Sequence, residues 1–87
     1  MLEGLATRDK VTGLKQTRRM IATGRAARVF LARDADPRLT EPVLELCRLG
    51  NIPVEQSCTM QQLGKAAGIQ VGTAAVTLLA KSSVFPE

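Results

Sequence analysis

Apolar positions along this chain follow two rhythms. "RVFLA" at 28 to 32 and "GTAAVTLLA" at 72 to 80 are short, mainly apolar runs, the pattern of strands covered on both faces. "IPVEQ" at 52 to 56 reads as a third short strand, and "VTG" at 11 to 13 as a brief one feeding a helix. Between these runs the spacing turns helical. A helix is expected from about Leu14 to Thr23, with Met20 and Ile21 turned inward and Gly24 as its stop. Asp36 before Pro37 starts a turn. Thr40 is the expected cap of the next helix, which accepts Pro42 in its first turn and buries Val43, Leu44, Leu46, Cys47 and Leu49 before Gly50-Asn51 ends it. Thr59 caps another helix, through about Ala67 with Gly68 as the stop, and a short helical stretch precedes the first strand. Small Ala74 and Ala75 permit a helix to pack closely on the last strand. Helices alternating with short buried strands predict an α/β fold, a sandwich three layers thick.

Composition narrows the class. The 87 residues suffice for one core, and 45% hydrophobic with 23% charged residues is a globular balance, so residues 1–87 are expected to form a single domain. No apolar run approaches the roughly 18 residues that span a bilayer, and "MLEGLATRDK" lacks the apolar centre of a signal peptide. Cys47 and Cys58 make no disulfide framework, so a reducing cytoplasm is the expected location, with no membrane partner.

Charge adds a direction. Twelve Lys and Arg against eight Asp and Glu leave a net charge of +4, and Arg8, Lys10, Lys15, Arg18, Arg19, Arg25, Arg28, Arg33 and Arg38 all precede Thr40. A polyanionic partner suits that distribution. Histidine is absent, which removes the usual centre of catalytic triads, proton shuttles and most zinc sites. Trp and Tyr are absent too, and Phe30 and Phe85 lie far apart, so sheets that stack bases on exposed aromatics are excluded.

The segment "GLKQTRRMIATGR" at 13 to 25 then poses a problem, because Lys15, Arg18 and Arg19 crowd the start of a helix. A helix N-terminus already carries free N–H groups and partial positive charge, so each added cation there costs a few tenths to about 1 kcal/mol. Something negative is expected to approach this turn.

"GLKQTRR" at 13 to 19, "ARDADP" at 32 to 37, "NIPV" at 51 to 54 and "LGKAAGIQVG" at 63 to 72 together resemble segments of the kink-turn-binding ribosomal-protein family of the L-seven-Ae and L-thirty-e type. The small bacterial members, which read Gly-Thr-Lys-Gln-Thr at the first segment, are the most similar. The resemblance implies a four-stranded mixed sheet between helices, with one helix N-terminus and one nearby loop gripping RNA. Archaeal and eukaryotic members read Gly-Thr-Asn-Glu with a Lys three residues later, and these residues touch guanines of two sheared G·A pairs beside a bulge. By position Lys15 matches the Asn, Gln16 the Glu and Arg19 the Lys, while Leu14 departs from the usual Thr. The implied RNA-binding set is Gly13, Leu14, Lys15, Gln16, Arg18 and Arg19, the loop residues Ile69, Gln70 and Val71, and, more peripherally, Asp36 and Lys65.

The side chains suit those roles. Arg19 can present paired donors to guanine O6 and N7, Gln16 can accept and donate at a base edge, and Lys15 can neutralise phosphate. Gln in place of Glu removes a charged acceptor, so bonds from guanine N–H groups should be weaker. Ile69 and Val71 would add apolar contact, and Gln70 a polar one. Lys65 also reads as an ordinary exposed lysine, Asp36 as the organiser of the Pro37 turn, and Cys47 as core packing. Cys58, ahead of a helix start, lacks the histidine that would make it a nucleophile. The expectation is a non-enzymatic, cofactor-free RNA-binding protein, monomeric when free, that stabilises kink-turns in ribosomal RNA, a riboswitch or a small non-coding RNA. Two alternatives stay open: a protein-interaction subunit of a ribonucleoprotein that uses the helix after Thr40, and a substrate-binding module related to RNA-modifying enzymes.

Overall fold

The computed structural model describes residues 9–80; the helical stretch expected at the N-terminus, together with Arg8, Lys81 and Phe85, lies outside them. Seven elements follow in order: β1 (Lys10–Thr12), α1 (Leu14–Ala22), β2 (Ala26–Leu31), α2 (Pro37–Leu49), β3 (Val54–Glu55), α3 (Met60–Ala66) and β4 (Ala75–Leu79). The strands form one mixed sheet in the order β1-β4-β2-β3. β4 runs antiparallel to both β1 and β2, and β3 lies parallel to β2.

Alternation on the two central strands builds both cores. Val29 and Leu31 of β2 and Ala75 of β4 meet Val43 and Cys47 of α2, with Leu14 and Ile21 of α1 packed against them. Phe30, Val76 and Leu78 point the other way, onto Cys58 and onto Leu63 and Ala67 of the α3 segment. The molecule is therefore the expected three-layer α/β/α sandwich, with α1 and α2 on one face of the sheet and α3 on the other. One polar pair interrupts the apolar packing: Thr77 of β4 and Thr17 of α1, both fully buried, share a hydrogen bond of 2.7 Å between their hydroxyls.

Several boundaries differ from the expectation. α2 begins a turn earlier, at Pro37, because the Asp36 carboxylate caps it by accepting from the Arg38 N–H at 2.9 Å, and proline lacks only an N–H that the first helical position does not use. Thr40 is thus a buried residue inside the helix and not its cap, and Pro42 sits in the helix interior. The inward stripe runs Thr40, Val43, Leu44, Cys47. Leu46 and Leu49 fall off it and are 37% and 67% exposed. β3 shrinks to two residues, bounded by Pro53. β4 starts only at Ala75, because residues 72–74 belong to the loop that precedes it.

The three helices among the described residues stop in the same way. Arg25, Ile52 and Ile69 donate their N–H groups to Met20, Cys47 and Gly64, while Gly24, Asn51 and Gly68 donate to Ile21, Arg48 and Lys65. That pairing turns the chain through a left-handed residue, here Gly24, Asn51 and Gly68 at φ of 74°, 56° and 83°.

Candidate nucleic-acid interface

Three connections meet at one end of the sheet. The turn from β1 into α1 is Gly13, at φ 99° and ψ 154°, a conformation essentially confined to glycine. Its N–H extends the β1–β4 ladder by donating to the Ala75 carbonyl at 2.8 Å. The same carbonyl accepts from the Thr73 hydroxyl at 3.0 Å, which ties the end of the 68–74 loop to the start of α1. From the neighbouring strand, the Ala32 N–H donates to the Ala74 carbonyl at 2.8 Å and brings in the β2–α2 loop.

α1 differs from its neighbours at its N-terminus. α2 is capped by Asp36, and α3 by a reciprocal pair in which the Thr59 hydroxyl accepts from the Gln62 N–H and the Gln62 side chain accepts from the Thr59 N–H. Asp34 adds a third acceptor there, taking the Met60 N–H at 2.8 Å. α1 has no side-chain cap, and, as in α2 and α3, no acidic residue stands in its first turn. Among the described residues no side chain accepts from its first N–H groups, which lie beside the exposed Lys15, Gln16, Arg18 and Arg19. Among the described residues Lys15, Arg18 and Arg19 form no ion pair, whereas Arg28, Arg38 and Arg48 pair with Glu55, Asp36 and Glu45. An electropositive helix end with three uncompensated cations attracts polyanions.

The loop beside it is shaped by α3. Met60 accepts the Thr73 N–H at 3.1 Å, and the backbone of Val71 and Gly72 lies directly on Gly64. Pinned there, the loop leaves Val71 71% exposed and Gln70 exposed, while Ile69 is half-buried.

The expected site residues thus divide into groups. Lys15, Arg18 and Arg19 line a groove between α1 and α2 with Leu14, Ala22, Leu39 and Leu46; Gln16 lies outside that lining. Leu14 is half-buried and packs against the core, so it anchors the turn. Ile69, Gln70 and Val71 lie on the loop at the same end of the sheet. Asp36 is committed to its cap and to Arg38, whose guanidinium hydrogen bonds hold the carboxyl below its ordinary range. Lys65 is set apart, across the sheet on α3 beside Ser57 and Gln62.

Thr17, Thr77 and Asp34 were not in the expected site set, although each fixes an element that borders it. Thr17 had a visible signal: with Leu14 and Ile21 it completes the i, i+3, i+7 spacing of an inward face. Asp34 and Thr77 had none, since their partners lie 26 and 60 residues away in the chain.

No group of three or more metal-ligating side chains occurs among the described residues. Burial pushes the Cys47 thiol up, away from the thiolate a nucleophile needs. No helix among the described residues is long and apolar enough to cross a membrane.

Known proteins agree with this architecture. The chain is 45% identical over 69 residues to the RNA-binding protein YbxF of Geobacillus stearothermophilus, covering 79% of this chain and 84% of that one. It is 39% identical over 70 residues to an RNA-binding protein of Halalkalibacterium halodurans, covering 80% and 85%. Among solved structures, a Bacillus halodurans protein of unknown function superposes with a TM-score of 0.82 at 25% identity, covering 91% of this chain and 83% of that one. The 15.5kD RNA binding protein of Giardia lamblia superposes equally, TM-score 0.82, but at 20% identity, covering 95% and 71%, and so speaks for the fold alone. The profile of one family extends over residues 4–84, all three layers included, and the chain belongs to it: the Ribosomal protein L7Ae/L30e/S12e/Gadd45 family.

Proposed function

We propose that this protein binds RNA and stabilises kink-turns, using the N-terminus of α1 and the 68–73 loop. The observation that carries the reading is the uncapped start of α1, with Lys15, Arg18 and Arg19 unpaired among the described residues. Homologues named as RNA-binding proteins support the ligand class. On this reading Arg19 and Gln16 read guanine edges, Lys15 and Arg18 neutralise phosphate, and Ile69, Gln70 and Val71 meet the bulged nucleotides. Lys65 reaches backbone further out, and Asp36 acts mainly by setting the start of α2. The free RNA interconverts between extended and kinked forms, and a protein fitting only the kinked one shifts the balance by its differential affinity. The protein then works as a single-domain, cytoplasmic monomer with no catalytic step, on ribosomal or other structured RNA.

A gel-shift titration with a kink-turn duplex, against a variant whose G·A pairs are Watson-Crick pairs, tests this. Tight binding to the first and weak binding to the second is expected. Equal binding to both overturns kink-turn recognition and leaves only attraction to phosphate. A second reading, the protein-interaction subunit, is favoured by Leu39 and Leu49 of α2, which are 53% and 67% exposed. Failure to bind either RNA would select it.

A further inference from the structure

We propose that the buried Thr17–Thr77 pair is a positioning element that sets the rotation of α1 and so decides how strictly the protein discriminates sheared G·A pairs. The proposal rests on the kink-turn reading. Thr17 lies between Gln16 and Arg18, and it is the one fully buried residue of α1. Leu14 and Ile21, which flank it on the inward face, are only half-buried, and apolar contact of that kind tolerates small rolls of a helix. A hydrogen bond of 2.7 Å is directional and does not. Its partner Thr77 stands on β4, a central strand held by both β1 and β2, so the reference point is rigid.

The leverage is large. Side chains extend some 5 to 6 Å from a helix axis, so a roll of 20° would carry the tip of Arg19 or Gln16 sideways by about 2 Å. Recognition geometry tolerates only about 0.5 Å. At the other side of the turn, the Gly13 N–H bond to the Ala75 carbonyl fixes where α1 starts but leaves its rotation free. Threonine at both positions thus does something that a valine pair of the same shape cannot.

That difference gives the test. Replacing both hydroxyls by methyls in Thr17→Val/Thr77→Val leaves no unpaired polar group, so stability should stay close to the parent. The measured quantity is the ratio of affinities for the G·A duplex and its Watson-Crick variant, with unfolding followed in parallel. We expect the ratio to fall by about tenfold, the scale of one misaligned base contact, while affinity for plain duplex stays constant. An unchanged ratio in the cooperatively folded double variant overturns the proposal. If the parent protein itself shows no preference for G·A pairs, the kink-turn reading fails first, and the proposal falls with it. Should the double variant not unfold cooperatively, Thr77→Ser and Thr77→Ala decide. Serine keeps a hydroxyl for Thr17 and should keep the ratio, alanine should lose it, and equal ratios overturn the positioning role.

Discussion

Gly64→Ala offers a sharp test of how the loop is held, because two effects of opposite sign compete in it. In an exposed helix interior, alanine for glycine stabilises by roughly 0.8 to 1 kcal/mol. Here a Cβ on residue 64 would stand 2.1 Å from the Val71 carbonyl oxygen, 3.0 Å from its carbon and 3.1 Å from the Gly72 Cα. All three are backbone atoms, so no side chain can swing aside. Restoring normal contact requires α3 and the loop to part by more than about 1 Å, and overpacking of this kind costs typically 1 to 3 kcal/mol. The parting also strains the Thr73–Met60 and Ile69–Gly64 hydrogen bonds of 3.1 and 3.0 Å, each worth about 1 kcal/mol. Subtracting the propensity gain leaves a net destabilisation of about 2 kcal/mol. For a domain of this size that lowers Tm by roughly 8 to 16 °C, readable by calorimetry or circular dichroism. A Gly64→Ala protein as stable as the parent, or more so, would refute the reasoning and mean that the loop rests loosely on α3.

Three further outcomes follow from the interface and the caps. Arg19→Ala should weaken binding to a kink-turn duplex by about 1 to 3 kcal/mol, whereas Arg25→Ala, beyond the Gly24 turn, should change it much less in the same titration. Gln16→Glu should bind the G·A duplex equally or more tightly and the plain duplex more weakly, because a carboxylate accepts more strongly from guanine N–H groups and suits a helix N-terminus; equal weakening on both would show that residue 16 senses only phosphate charge. Asp36 has a lowered pKa in the folded state through its hydrogen bonds with Arg38, so its capping contribution is complete above the ordinary Asp value of about 4 and fades as pH falls through the lowered one. Acid titration followed by circular dichroism should therefore show a steeper loss below that pH in the parent than in Asp36→Asn, and superimposable curves would count against the cap.

Much of the fold is legible because its signals are local. The Val29–Ala32 and Ala75–Leu79 runs have the length and apolar, β-branched character of buried strands, and Thr59 with Gln62 marks the start of α3 by a spacing that needs no partner from elsewhere. Where a residue suits two roles, the sequence is ambiguous. Thr40 fits both a cap and the inward stripe, and only the stronger Asp36-Pro37 start one turn earlier decides that it is core. Leu46 and Leu49 read as buried by composition, yet the stripe through Val43 and Cys47 turns them outward. The site follows the same division. The exposed cations of α1 and the Gly13 turn can be read from the segment itself. The hold of α3 on residues 71–73 depends on how a loop folds back, and the Asp34 cap on α3 and the Thr17–Thr77 bond join distant parts of the chain.

The place of β4 in the sheet has a consequence for the order in which a growing chain can fold. β1 and β2 are made early, but neither pairs with the other: the strand between them is β4, the last of the described elements to leave the ribosome. Until residues 75–79 appear, the chain holds at most the local β2–α2–β3 unit, with one long edge of β2 unpaired. Gly13 has no Ala75 carbonyl to bond, Thr17 has no Thr77, and α1 lacks its seat on β4 and keeps only its apolar packing against β2 and α2. The helix that carries the uncapped terminus thus precedes most of the described elements in the chain and is among the last of them to be set in place. A nascent chain should engage RNA in its specific manner only after β4 has closed the sheet, and any truncation before Ala75 should leave the basic segment present but without fixed shape.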